Sequence, residues 1–326
     1  MRVLIAGSGT WGTALAHVAR QAGAEVTIHC RSRERADELA RGQHGLLPGQ
    51  SLGAGFDVSV AGHEPIGATD LVICAVPTQM LRSYLEGPGG ELPRDAMWVS
   101  ASKGLELETL KLPSEILTDC GVTEDPAVIS GPSHAEEVLR DLPTAVVVAH
   151  PDQQRTRFIQ EALGTAPFRI YRSSDRVGVE WAGALKNVVA LGCGIAIGRG
   201  LGDNTVAALV TRGTAEISRL GTVLGGERET FSGLAGIGDL VVTCFSGHSR
   251  NRAVGFRLGS GEKVGSVLES MEQVAEGIPT CQAVHELCTS RSVDMPIAET
   301  VYRIIHDGLA VEEGVEILLR RPPEEE

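Results

Sequence analysis

Several features that would mark a particular class of protein are missing from this sequence. No block of consecutive Lys or Arg occurs, and 42 acidic residues outnumber 29 basic ones for a formal charge of −13. That balance argues against nucleic acid and anionic membranes as partners, and it requires any anionic ligand to be held by a local pocket. Cysteine pairs are missing too. The seven cysteines, at 30, 74, 120, 193, 244, 281 and 288, form no CxxC and no metal-ligand spacing. They read as reduced thiols, mostly buried, in a cytoplasmic protein with no metal. Apolar stretches long enough to span a membrane are not evident, and the first strand begins at Arg2, which leaves no room for a signal peptide. Aromatic residues are few, at 4%, and there is no internal repeat or low-complexity segment.

What the chain has in excess is glycine, 40 residues in a sequence that keeps its apolar periodicity throughout. Tight turns and close helix contacts account for them better than disorder. At 326 residues the chain is long enough for two domains. Up to about Ser174, short apolar runs such as "RVLIAG", "EVTIHC", "DLVICAVP", "AMWVSASKG", "AVISGP", "TAVVVA" and "FRIYR" are interleaved with helical patterns. This is the rhythm of a doubly wound, mainly parallel α/β sheet of Rossmann type. Beyond it, from "VGVEWAGALKNVVALGCGIAIG" onward, only helical periodicity remains, with Pro279 and Pro296 placed to open two helices and "PPEEE" as a frayed tail. The expected division is a dinucleotide-binding domain at 1–176 and an all-α domain at 177–326.

The first strand runs into "GSGTWG", a GxGxxG placed between strand and helix. Gly7 permits the tight turn, Gly9 lets the backbone approach a pyrophosphate, and Gly12 allows close helix packing, while the helix N-terminus supplies unpaired N–H groups. In an NAD-type pattern the second strand would end in Asp or Glu, to hold the ribose 2′-hydroxyl. Here "HCRSRER" follows instead, and Arg31, with Arg33 and Arg35 close behind, favours the 2′-phosphate of NADP(H), with NAD(H) possible. The alternative is a solvated basic turn neutralised by Glu34 and Asp37.

Ligands in such sheets bind beyond the carboxyl ends of the strands, where "VPTQ", "SASKG" with Lys103 and "SGPSHA" with Gly131 and Ser133 fall. In the helical half, Lys186 shares its face with Ala182, Gly183, Val189 and Ala190. An ammonium so poorly solvated is expected to lose some of its basicity and to exchange a proton near neutral pH; the alternative is a lysine snorkelling at a helix edge. Asp239, set in "GLAGIGDLVVTC", is costly among Leu, Ile and Val unless paired, and Lys186 is its natural partner. Thr243 shares its face if the stretch is helical. Ser249, Arg250 and Asn251 together make an anion clamp, or else a loop with a helix cap.

Taken in order, "GSGTWGTALA", "KGLE", "SGPSHAEEV", "LKNVVALGCGIAIG", "GLAGIGDLVVTC", "SRN" and "VAEGIPT" resemble one family, the bacterial-type NAD(P)-dependent glycerol-3-phosphate dehydrogenases, over nearly the whole chain. The resemblance implies reduction of dihydroxyacetone phosphate to sn-glycerol 3-phosphate, a phospholipid precursor; the Gly- and Ala-rich helices permit the close contact of a homodimer. The same resemblance places the catalytic proton acceptor at Lys186, and substrate contacts at Lys103, Gly131, Ser133, Asp239, Ser249, Arg250 and Asn251. Cofactor contacts fall on Thr10, Trp11, Arg31, Lys103, Ala135, Arg250, Val274 and Glu276. Members often carry one or two basic residues after the second strand; Arg31 matches, while Ser32 replaces a second one. The rivals are dehydrogenases of β-hydroxyacids, ketopantoate or nucleotide sugars on the same architecture, and a catalytically silent NADP(H) sensor.

Overall fold

The computed structural model describes residues 1–63, 66–271 and 275–322. Its contacts divide the chain into two units, residues 1–103 with 111–180 and residues 104–110 with 181–326. The division thus falls about one turn after the expected boundary, inside a long helix, and a short segment after Lys103 joins the second unit.

The first unit carries eight strands, β1 (Arg2–Ala6), β2 (Glu25–Cys30), β3 (Asp57–Val60), β4 (Leu71–Cys74), β5 (Met97–Ser100), β6 (Ala127–Ser130), β7 (Thr144–Ala149) and β8 (Phe168–Ser173). Between them run α1 (Thr10–Gln21), α2 (Arg33–Ala40), α3 (Thr78–Glu86), α4 (Pro113–Asp119), α5 (Ala135–Val138) and α6 (Gln153–Leu163). The strands form one sheet in the order β3-β2-β1-β4-β5-β6-β7-β8, parallel except where β6 meets β7. Successive residues of β1 show why the runs are continuously apolar: Val3 and Ile5 enter the core on one face, Leu4 and Ala6 the core on the other. The chain adds β2 and β3 on one side of β1 and then crosses from β3 to β4 on the other, so the crevice of a doubly wound sheet lies beyond the carboxyl end of β1.

The second unit is helical: α7 (Arg176–Gly198), which begins in the first unit, α8 (Asp203–Val223), α9 (Arg228–Phe231), a π-helical turn at Leu234–Gly238, α10 (Asp239–Phe245), α11 (Arg250–Gly259), α12 (Val264–Glu269), α13 (Gly277–Arg291), α14 (Pro296–His306) and α15 (Val311–Leu319). Pro279 and Pro296 lie in the first turns of α13 and α14, as expected, and all but one residue of the tail read as frayed, 323–326, lies outside the described residues. A window of α7 has a mean hydropathy of 1.4 over 18 residues, enough by length and composition to cross a membrane, but 89% of it is buried inside the protein and the helix also carries Glu180 and Lys186. It is a core helix, apolar because neighbours surround it.

Glycine sets how closely those neighbours approach. A Cβ on Gly194 would lie 2.2 Å from the Arg252 carbonyl oxygen, and one on Gly198 2.1 Å from that of Phe256. On the facing helix, a Cβ on Gly255 or Gly259 would lie 2.1 Å from the carbonyl oxygens of Leu191 and Ile195 respectively. Helices α7 and α11 therefore touch backbone to backbone through glycines spaced four apart on both, a crossing that no larger residue permits.

Two buried carboxylates do the work of helix caps from a distance. Glu180 of α7 accepts from the Ser114 backbone N–H at 2.8 Å and from its hydroxyl at 2.5 Å, at the start of α4. Glu216 of α8 accepts from the N–H groups of Ile297 at 2.8 Å and Ala298 at 3.2 Å, the first donors after Pro296 in α14. Burial raises both carboxyls to about 7. A folded-state value above the unfolded one means that the stability tied to Glu216 is fully present below about 4.5 and is lost as pH rises through about 7. Glu216→Gln has no such titration, so its melting temperature is expected to gain on that of the wild type across this window. A difference between the two that stays constant with pH would contradict the assignment.

Candidate active site

The glycine turn sits at the carboxyl end of β1. Gly7 has φ +112, and a Cβ there would stand 2.9 Å from the Ala75 carbonyl oxygen, just past β4. A Cβ on Gly12 would stand 2.1 Å from the Gly7 carbonyl oxygen. Gly9 is different. Its φ of −80 suits any residue and a Cβ would meet nothing within 4 Å, so the missing side chain keeps space open above the start of α1. No side chain caps that helix and no acidic residue stands in its first turn. The Trp11 indole Nε1 is buried without a hydrogen-bond partner among the described residues. Thr10 and Trp11 open α1, so a dinucleotide pyrophosphate would meet a helix N-terminus and an open cradle here.

After β2, Cys30 is buried while Arg31 and Arg33 are exposed, with no ion pair to either among the described residues. Ser32 caps α2, its hydroxyl accepting from the Arg35 N–H at 3.4 Å. Arg35 is the arginine that local acid neutralises, through Glu38 and not through Glu34 or Asp37. Buried His44, whose basicity is lowered by its burial and then by Arg35, accepts the Leu46 N–H on Nδ1 at 3.2 Å. Its Nε2 is left to donate to the Ser8 carbonyl at 3.2 Å, tying the segment after α2 to the glycine turn. Nothing in the spacing of the sequence singles out His44.

Lys103 and Ser133 converge on one acceptor. The Lys103 ammonium donates to the Gly131 carbonyl oxygen at 3.1 Å and the Ser133 hydroxyl donates to it at 2.9 Å. Gly131 itself has φ +133 with a Cβ position 3.0 Å from Val146 Cα, so its identity answers to backbone conformation and to packing on β7. Ala135 opens α5 and its side chain belongs to the core.

In the helical unit the structure brings Lys186, Asp239 and Thr243 together, 6%, 1% and 5% exposed. The Lys186 ammonium donates to Asp239 Oδ1 and, at 2.9 Å, to Thr243 Oγ1. The Thr243 hydroxyl spends its own proton on the Asp239 backbone carbonyl at 2.6 Å, one turn earlier in α10, and so faces Lys186 as an acceptor. The pair opposes the desolvation that an unpartnered lysine would suffer, and each charge makes the other's burial tolerable. Next to it the Cys244 thiol is pushed far up by its hydrogen bond with Cys193 and by burial, which keeps it protonated and inert. None of the seven cysteines forms a disulfide.

The residues read from the sequence as an anion clamp or a helix cap have structural duties. Ser249 caps α11, its hydroxyl accepting from the Arg252 N–H at 3.2 Å. The Asn251 amide donates to Asn187 Oδ1 at 2.9 Å and accepts from the Gly277 N–H at 3.0 Å, joining α7, α11 and α13. Arg250 is the exposed first residue of α11. Glu276 is the N-cap residue of α13, while Val274 lies outside the described residues. Asn187 carries no sequence signal beyond being a lone amide next to Lys186 in an apolar helix.

Residues 2–156 match the family described as NAD-dependent glycerol-3-phosphate dehydrogenase N-terminus, and residues 175–316 the corresponding C-terminus. The chain is 45% identical over 323 residues to glycerol-3-phosphate dehydrogenase NAD(P)+ 2 of Mycobacterium tuberculosis, covering 98% of this chain and 96% of that one. It is 43% identical over 322 residues to the NAD(P)+ glycerol-3-phosphate dehydrogenase of Moorella thermoacetica, with 98% and 96% covered. The crystal structure of glycerol-3-phosphate dehydrogenase from Coxiella burnetii superimposes with a TM-score of 0.91 at 35% identity, over 98% of this chain and 99% of that one.

The glycine geometry separates folding from binding. Gly12→Ala is expected to cost about 1–3 kcal/mol of stability through the clash with the Gly7 carbonyl. Gly9→Ala is expected to melt as the wild type does and to bind the nicotinamide dinucleotide about tenfold more weakly by titration calorimetry. Unchanged affinity in Gly9→Ala would place the pyrophosphate elsewhere.

Proposed function

We propose, on the premise that the chain belongs to the NAD-dependent glycerol-3-phosphate dehydrogenases, that Lys186 is the proton donor to the keto oxygen of dihydroxyacetone phosphate. The reaction is the reversible reduction of that ketone to sn-glycerol 3-phosphate with NAD(P)H. The observation that carries the assignment is a buried lysine held by a buried aspartate and a threonine whose hydroxyl is turned toward it as an acceptor.

When bound, the reduced nicotinamide supplies the hydride. As negative charge grows on the keto oxygen, the Lys186 ammonium provides the proton, and in the reverse direction the neutral amine removes it. Asp239 keeps Lys186 charged and aimed. Thr243 holds the ammonium from a second direction without competing for its proton. Arg250 supplies charge to the substrate phosphate beside Ser249 and Asn251, while Lys103, Gly131 and Ser133 serve as the other substrate contacts. Gly7, Gly9, Thr10, Trp11 and Gly12 would hold the dinucleotide, with Lys103, Ala135, Arg250, Val274 and Glu276 as further contacts.

Arg31 and Arg33, exposed and without an acidic partner among the described residues, favour NADPH over NADH. Seven cysteines that form no disulfide support a reducing, cytoplasmic setting, and Gly- and Ala-rich helices suit a homodimer. The product is a precursor for phospholipid synthesis. A silent sensor has no use for a buried, paired proton donor.

Two sets of variants test the reading. Lys186→Met is expected to lower kcat by about two to four orders of magnitude while nucleotide affinity persists. Because it leaves Asp239 buried without its cation, at a cost of about 3–5 kcal/mol, Lys186→Met with Asp239→Asn is the companion that keeps the fold. Normal turnover in either would remove Lys186 from the mechanism. Replacing Arg31 and Arg33 by Ala is expected to raise KM for NADPH about tenfold or more and to leave KM for NADH in place; equal effects on both would show that the arginines do not read the 2′-phosphate.

A further inference from the structure

The segment after α2 reaches back to the glycine turn through one side chain. His44 is 5% exposed, and its ring stands between its own loop and the peptide that joins Ser8 to Gly9. Nδ1 faces two donors, the Leu46 N–H at 3.2 Å and the Arg35 guanidinium at 3.4 Å, so it carries the lone pair. The ring proton is left to Nε2, which donates to the Ser8 carbonyl at 3.2 Å. The loop that carries the ring is itself tied down. Glu38 of α2 accepts from the Gly45 N–H at 3.3 Å while it pairs with Arg35, and the His44 carbonyl accepts from the N–H of buried Leu47 at 2.9 Å. The imidazole is a fixed post.

The bond to Ser8 fixes more than a carbonyl. In a planar trans peptide the C=O and the N–H that follows it point in opposite directions, so holding the Ser8 oxygen toward His44 turns the Gly9 N–H away from it. No described residue accepts from that N–H, and a Cβ on Gly9 would meet nothing within 4 Å. The Gly9 carbonyl is already committed to α1, accepting from the Thr13 N–H at 2.9 Å. Glycine also makes this peptide easy to turn over. The flip would carry Gly9 from φ −80 to a positive φ, which glycine adopts readily and other residues rarely do. The flipped peptide would present an oxygen where the native one presents a donor. The residue that keeps the cradle open thus leaves its peptide in need of a hold, and His44 supplies it.

We propose that His44 is a positioning residue for the dinucleotide: by holding the Ser8 carbonyl, its Nε2–H keeps the Gly9 N–H turned toward the pyrophosphate, an inference that rests on the reading of the glycine turn as the pyrophosphate site. The test compares two variants of the full chain. In His44→Asn the shorter amide reaches only the place of Nδ1, which keeps the Leu46 bond and loses the one to Ser8. In His44→Gln the amide nitrogen takes the place of Nε2 and restores that donor. NADPH and NADH are titrated into each by calorimetry, with melting followed alongside. His44→Asn is expected to bind both dinucleotides about tenfold more weakly, in equal proportion because they share the pyrophosphate. In turnover the loss falls on KM for the dinucleotide and not on kcat. His44→Gln is expected to bind within about twofold of the wild type. Should His44→Asn fail to fold, His44→Leu, which fills the ring's volume without a donor, carries the same comparison.

Wild-type affinity in a folded His44→Asn or His44→Leu would overturn the proposal. So would a loss that His44→Gln shares, which would assign His44 to packing alone, and a loss confined to NADPH, which would place its effect on the arginines after β2. Gly9→Ala separates the proposal from its premise. If that variant binds as the wild type does, the pyrophosphate lies elsewhere and the role of His44 falls with it; if it binds weakly while His44→Asn does not, the role of His44 falls alone.

Discussion

The helical unit hangs on the contact of two backbones. Because α7 and α11 meet at Gly194, Gly198, Gly255 and Gly259, their axes come closer than side chains of any size would allow. That approach puts the amino end of α11 beside the middle of α7, where Asn251 can reach Asn187 and Gly277 in one step. Arg250 and Ser249 are placed by the same contact, since they begin α11. Part of the chain's high glycine content thus serves to position the start of α11 relative to Lys186.

Around this contact the unit buries charge by a consistent rule. Lys186 has Asp239, and Glu216 has the first donors of α14; in the Rossmann unit Glu180 likewise has the start of α4. The two kinds of partner differ in consequence. A cation opposite a carboxylate offsets its desolvation, whereas backbone donors offset less of it, and both glutamates are left titrating near 7.

Much of this was legible in the sequence, for reasons specific to each part. The glycine turn is readable because Gly7, Gly9 and Gly12 each answer a different spatial demand at a fixed spacing; the backbone crowds Gly7 and Gly12, while the space over Gly9 is open. Lys186 and Asp239 stand out because isolated charges in apolar helices are costly, which makes pairing foreseeable. Strand β3 is hard to read because "DVSV" is a short sheet-edge strand with polar residues at two of its positions. Helix α6 has its cap in Asp152 and its apolar face in Ile159, Ala162 and Leu163, but this signal is spread thinly over a polar segment. The structural duties of Ser249 and Asn251 depend on residues distant in sequence or on helix ends that periodicity locates poorly. For the same reason the sequence offers Glu34 and Asp37 to the arginines after β2, whereas Arg35 pairs with Glu38.

The π-helical turn at Leu234–Gly238 closes with the Gly238 N–H on the Gly233 carbonyl at 3.1 Å, five residues back, and α10 follows it without a break. An α-helical turn would close over four residues, so the segment contains one residue more than its path requires. The extra residue is taken up inside the turn, so Asp239 and Thr243 keep the phase that brings them to Lys186. A chain one residue shorter here would wind as ordinary helix along the same path and present the same pair on the same side. The turn is thus the place where this stretch can change its length without parting the aspartate from its lysine.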